Sequence, residues 1–151
     1  MDQTIFDIHT GGDWKQSEEL LAEHVRPEFV CLVQKLLEHE ISVGIATFSS
    51  QVKLIESVLR LKLGENKVPV VGWFNTPIPN FEKGKQGQLY TMLQHFGKDT
   101  NSQSDRKQTI LVDDDLKNIR VAKRDGYRVV PYYPDKSTDP NVLVLKRHAG
   151  S

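Results

Sequence analysis

The sequence predicts a single α/β domain built on a mostly parallel sheet. Three observations carry this. Segments with apolar residues at three-and-four spacing alternate with short β-branched runs. A length of 151 residues suits one hydrophobic core. No internal repeat is present, and the one low-complexity stretch, Lys98 to Gln108, is polar, lacks periodicity and reads as a surface loop.

Thr4, Ile5 and Phe6 form at most a short first strand, and a single loop leads from there to the first predicted helix. Pro27 suits the first position of that helix, and Phe29, Val30, Val33, Leu36 and Leu37 recur on one face as far as His39. Cys31, among Val30, Leu32 and Val33, is expected to be a buried thiol. Ile41 to Ala46 reads as a strand closed by Thr47, with Ser49 or Ser50 as N-cap of a helix that carries Val52, Ile55, Val58 and Leu59 and stops at Gly64. Val68 to Trp73 reads as a buried strand, after which Asn75, Pro77, Pro79 and Asn80 break regular structure. A helix follows from Lys85 to Phe96, stopped by Gly97. Thr109 to Val112 is a β-rich run ending in Asp113, Asp114 and Asp115; a helix then runs from Leu116 to Gly126, and Tyr127 to Val130 is the last strand.

Composition excludes several classes of function. Twenty basic residues balance twenty acidic ones, which argues against capture of nucleic acid by net charge. The single cysteine excludes an internal disulfide and a cysteine-based zinc site, and the five histidines show no paired metal-ligand spacing. No apolar run is long enough to span a membrane, and the acidic first thirty residues are unlike a signal peptide, so a cytoplasmic location with no membrane partner is expected.

In open parallel α/β sheets, ligands bind beyond the carboxyl ends of the strands. The residues there are Thr47, then Asp113 and Asp114, with Lys85 opening the intervening helix. A hydroxyl, a lysine and paired carboxylates suit a phosphate held beside Mg²⁺, because hard oxygen ligands take the ion and cationic or hydroxyl donors take the phosphate oxygens. The competing reading of Asp113 to Asp115 is a solvated turn that caps the next helix.

The order of a hydroxyl at a strand end, a lysine at a helix start and then "ILVDDDLKNI" resembles motifs two, three and four of the haloacid dehalogenase superfamily, most of whose members are Mg²⁺-dependent phosphatases. Asp113, Asp114 and Asn118 match motif four position by position; Thr47 in "VGIATFSS" matches motif two, and Lys85 in "KGKQGQL" matches motif three, with Lys83 as its competitor. The resemblance covers essentially the whole chain and implies a three-layer Rossmann-like fold without a large cap domain. It implies hydrolysis of a phosphomonoester, small or macromolecular, through an aspartyl-phosphate. Thr47 and Lys85 would bind phosphate, Asp2, Asp113 and Asp114 would hold Mg²⁺, and Asn118 would orient the cluster.

Motif one, D-x-D-x-[T/V], admits two registers. In the preferred one "MDQT" ends the motif, so Asp2 is the general acid and base and Thr4 the hydroxyl residue. The attacking carboxylate then precedes Met1, and residues 1–151 are expected to be an N-terminally incomplete, inactive or weak form. In the other, "DIHT" is the motif, with Asp7 as nucleophile and His9 in place of the second Asp. The segment His9 to Trp14 is either a substrate loop or a plain turn. Two other functions compete: a non-catalytic binding or regulatory module of the same fold, and a phospho-receiver domain, although a receiver carries its acidic pair before its lysine.

Overall fold

The computed structural model describes residues 4–8, 13–64, 68–72 and 84–133. Among them are six helices and four short strands: α1 (Glu18–Ala22), α2 (Pro27–Glu38), β1 (Ile45–Ala46), α3 (Val52–Leu63), β2 (Val70–Val71), α4 (Gln86–His95), α5 (Gln103–Lys107), β3 (Ile110–Asp113), α6 (Leu116–Arg124) and β4 (Arg128–Pro131). The architecture is mixed α/β with small parallel sheets. β1 pairs with β2 in the register Ile45 to Val70, and β3 with β4 in the register Ile110 to Arg128 through Asp113 to Pro131.

Each strand pair has its own apolar cluster. Beside β1 and β2, Ile45, Val68 and Val70 pack with Leu21 and Ala22 of α1, Val33 of α2, and Ile55, Val58 and Leu59 of α3. Ile5 and Phe6 complete this cluster. Beside β3 and β4, Leu111 packs with Leu89 and Leu93 of α4, Ala122 of α6 and Tyr127. Burial of these side chains stabilises the fold by roughly 1.5–3 kcal/mol each for the larger ones. Gly64, Gly97 and Gly126 end their helices with φ of 76, 70 and 95°, a region that side chains other than glycine enter at a cost.

Several expectations are corrected. The expected strand from Ile41 shrinks to Ile45–Ala46 because α2 closes by a left-handed turn: Glu40 has φ 60°, and the Ile41 amide donates to the Leu36 carbonyl. That N–H is thereby lost to the sheet, and Ile41 is exposed. Residues 4–6 do not form a strand of a parallel sheet; Phe6 makes an antiparallel bridge to Val25, flanked by bonds from the Asp7 amide to the His24 carbonyl and from the Arg26 amide to the Ile5 carbonyl. Cys31 is exposed rather than buried, because the inward face of α2 runs through Val33 and its three-and-four neighbours Phe29, Val30 and Leu37.

Helix α1 interrupts what reads as one loop. It is nucleated by Ser17, whose hydroxyl accepts from the Leu20 amide, and anchored by buried Leu21 and Ala22. Likewise the polar stretch Lys98 to Gln108 contains α5, capped by Ser102 on the Asp105 amide and tied down by Arg106, which donates to the carbonyls of Thr100 and Asp125. Caps and one arginine hold it, so apolar periodicity gives no sign of it. The N-cap of α3 is Gln51, with the hydroxyl of Ser49 two residues earlier accepting the Gln51 amide. The expected Trp73, the break from Asn75 to Asn80, Lys83 and the tail beyond Tyr133 lie outside the described residues. Among the described residues, no helix is long and apolar enough to cross a membrane.

Candidate functional site

Strand β3 delivers Asp113 to its carboxyl end with only 1% of the residue exposed. A buried carboxylate requires compensation, and three donors surround this one. Lys85 Nζ lies 2.7 Å from Oδ2, Asn118 Nδ2 donates to the same oxygen at 3.3 Å, and the Asp115 amide donates to Oδ1 at 2.8 Å. The Asp113 carbonyl meanwhile accepts the Tyr132 amide, which locks the end of β3 to the end of β4.

Lys85 is itself 5% exposed and stands at the N-cap of α4. The preceding glycine places it there: a Cβ on Gly84 would lie 3.1 Å from Cβ and Cγ1 of Val121, tighter than ordinary packing, so a larger residue would push this segment off α6. The ammonium also lies 5.8 Å from the centroid of the Phe48 ring, within cation–π range. One cation therefore touches the ends of both β3 and the β1 loop.

Thr47, 2% exposed, closes β1; its amide donates to the Val71 carbonyl and its Oγ1 accepts the Ser49 amide at 3.1 Å. From α4, Gln88 Nε2 donates to the Thr47 carbonyl at 3.2 Å. Gln88, 3% exposed, is a site neighbour that the sequence reading overlooked. Its signal was a pair of glutamines and a glycine in the first turn of α4, where Leu89 and Met92 mark the buried face.

The acidic triplet divides its labour. Asp113 takes the lysine. Asp114 Oδ1 accepts the Thr4 hydroxyl at 3.1 Å, across 110 positions of sequence. Asp115 caps α6 by accepting the Lys117 amide at 2.8 Å, so the helix-cap reading applies to this residue of the three.

The structure thus brings Lys85, Asp113 and Asn118 into direct contact and joins Thr4 to Asp114; Thr47 bonds to Gln88 of α4, and its chain neighbour Phe48 lies beside Lys85. Asp7 stands apart from these contacts, with its carboxylate 2.8 Å from His24 Nδ1 and its side chain 49% exposed. Asp2 and His9 lie outside the described residues, as does the segment from His9 to Gly12. Trp14 is held by Gln51, which accepts its amide and donates to its carbonyl.

Oxygen donors on adjacent residues at a strand end have the chemistry of a hard-cation site. Asp113 and Asp114 are two such donors, and among the described residues no group of three or more His, Cys, Asp or Glu stands ready to hold a metal. Comparisons with protein-family models, with curated proteins and with solved structures find no match.

Proposed function

We propose that the chain carries a phosphomonoester site of the haloacid dehalogenase type. The observation that carries this reading is the Lys85 ammonium, buried and clamped on Asp113 at the carboxyl end of a parallel strand. A cation held there is positioned to bind phosphate oxygens without the entropy cost of ordering a free lysine. The Thr47 hydroxyl retains its own proton to donate to such an oxygen, because its observed bond uses it as acceptor. Asn118 fixes the orientation of Asp113.

In this reading the two strand pairs are halves of one Rossmann-like sheet. The amides of Ile45 and Thr47 serve β2, and the carbonyls of Thr109 and Asp113 serve β4, so the alternation of parallel strands turns the polar groups of Ala46 and Val112 toward the opposite edges. Between those edges the family places the strand that ends in motif one.

The contact of Thr4 with Asp114 supports the register in which "MDQT" ends that motif, since it sets the motif's hydroxyl residue on the acidic pair. The engagement of Asp7 by His24 speaks against its use as the nucleophile. Asp2 then serves as general acid, giving its proton to the leaving oxygen as an aspartate carboxylate attacks phosphorus in line. Asp113 and Asp114 would hold Mg²⁺, whose charge would offset that of the phosphate oxygens. A second reading, a module that binds phosphate without hydrolysing it, is favoured by the occupation of both Asp113 oxygens by protein donors.

Thermal unfolding with inorganic phosphate and Mg²⁺ tests the site. Phosphate is expected to raise the midpoint of residues 1–151, by the mass action of a native-state ligand, and to have no effect on Lys85→Gln. A midpoint indifferent to phosphate at every Mg²⁺ concentration would refute the site. Turnover of an aryl phosphate separates the registers: in the preferred one, activity requires an N-terminal extension whose strand ends in Asp. Activity of residues 1–151 that vanishes in Asp7→Asn would establish the other.

A further inference from the structure

Eight large apolar side chains are exposed among the described residues, and their placement is uneven. Phe48, Leu116 and Tyr133, at 46, 59 and 43%, all follow the carboxyl ends of strands β1, β3 and β4. Each is tied to a residue of the site. Phe48 follows Thr47 and places its ring 5.8 Å from Lys85 Nζ. Leu116 opens α6 two positions after Asp114. Tyr133 follows Tyr132, whose amide bonds the Asp113 carbonyl. The other five are dispersed over α1, α3, α4, the turn at Ile41 and the opposite end of β3.

A single exposed leucine needs no explanation, whereas three large apolar residues that follow strand ends, two of those ends joined by a buried lysine, do. At Leu116 the contrast is local: the first turn of a helix favours residues that serve its amides, and here an apolar side chain stands more than half in water directly after the cap.

We propose that these three residues form the wall that receives the leaving group, and that the ligand is an aryl phosphomonoester, its phosphate on Lys85 and its ring against Phe48, Leu116 and Tyr133. The inference rests on the phosphate site proposed above and adds the chemistry of the substrate's other end. Aromatic faces at Phe48 and Tyr133 can stack on a ring or meet its edge, and Leu116 supplies aliphatic contact. An alkyl or sugar phosphate would leave those surfaces wet.

Calorimetric titration of the full chain with Mg²⁺, using inorganic phosphate, methylphosphonate and phenylphosphonate, tests this without any need for turnover. Phenylphosphonate should bind about tenfold more tightly than methylphosphonate, the factor expected from partial burial of one ring. In the triple variant Phe48→Ser, Leu116→Ser, Tyr133→Ser the ratio of the two affinities should fall toward one. Because it is a ratio within one protein, any effect of losing Phe48 on Lys85 itself cancels. If phosphate and methylphosphonate bind while phenylphosphonate gains nothing, or if its gain survives in the triple variant, the aryl assignment is overturned and the phosphate site stands. If none of the three probes binds, the phosphate site fails and the aryl assignment fails with it.

Discussion

Replacing Lys85 with methionine isolates the energetics of the buried ion pair. At 2.7 Å and an effective dielectric of about 20, the gross attraction between the charges is about 6 kcal/mol, much of it offset by the cost of taking both groups out of water. The side chains are 5 and 2% exposed, so solvent screening is slight. Methionine keeps the volume of the stem but leaves the Asp113 carboxylate to Asn118 and the Asp115 amide alone. Stranding a buried charge in this way costs about 3–5 kcal/mol. For a chain of this size that lowers the unfolding midpoint by about 6–20 °C. Scanning calorimetry of the two proteins, with the double variant Lys85→Met, Asp113→Leu to close the cycle, reads the coupling directly. The double variant should regain much of the loss, since removing both charges removes the stranded one. A Lys85→Met midpoint within about 2 °C of the parent would mean that the pair contributes no net stability, and the argument from pre-ordered charge would fall.

Two further outcomes follow from single residues. Asp115→Ala removes the N-cap of α6 and should cost about 1 kcal/mol in urea unfolding, with an unchanged slope; a loss under a few tenths would show that the cap bond is not formed in solution. Burial raises the pKa of Tyr127 above its usual 10, against the lowering pull of Arg106 and with a smaller push from Asp125. The unfolded chain then loses the phenolic proton first, so this contribution is intact below pH 10 and is lost as pH rises through the folded value. Tyr127→Phe should therefore flatten the fall in stability above pH 10, and parallel alkaline profiles for the two proteins would contradict this.

The parts of the fold legible in the sequence are those fixed by local rules. Pro27, Gly64, Gly97 and Gly126 bounded their helices because each carries its backbone preference with it. Strand extents were harder, because a strand exists only where its neighbour offers partners; Ile41 satisfied every local criterion and lost its amide to the end of α2. Helices α1 and α5 are set by one hydroxyl cap each and a few contacts, too little to produce a periodic signal. At the site, Asp113 was readable from its strand-end position and Lys85 from its place at a helix start, while Asn118 entered only through the resemblance to motif four. The partnership of Thr4 with Asp114, and that of Gln88 with the Thr47 carbonyl, depend on how distant segments meet and have no local signature.

Two bonds, one of them at the site, join segments far apart in the sequence. Thr4 reaches Asp114 over 110 positions, and the Tyr132 hydroxyl reaches Glu28, at the start of α2, over 104. Contacts of such separation demand closure of nearly the whole chain and form late in folding. On a ribosome the amino-terminal segment must therefore wait until β3 and Asp114 have emerged before Thr4 can meet its partner. A nascent chain still lacking β4 would have its lysine and its acidic triplet, yet not the Tyr132 amide that fixes the end of β3.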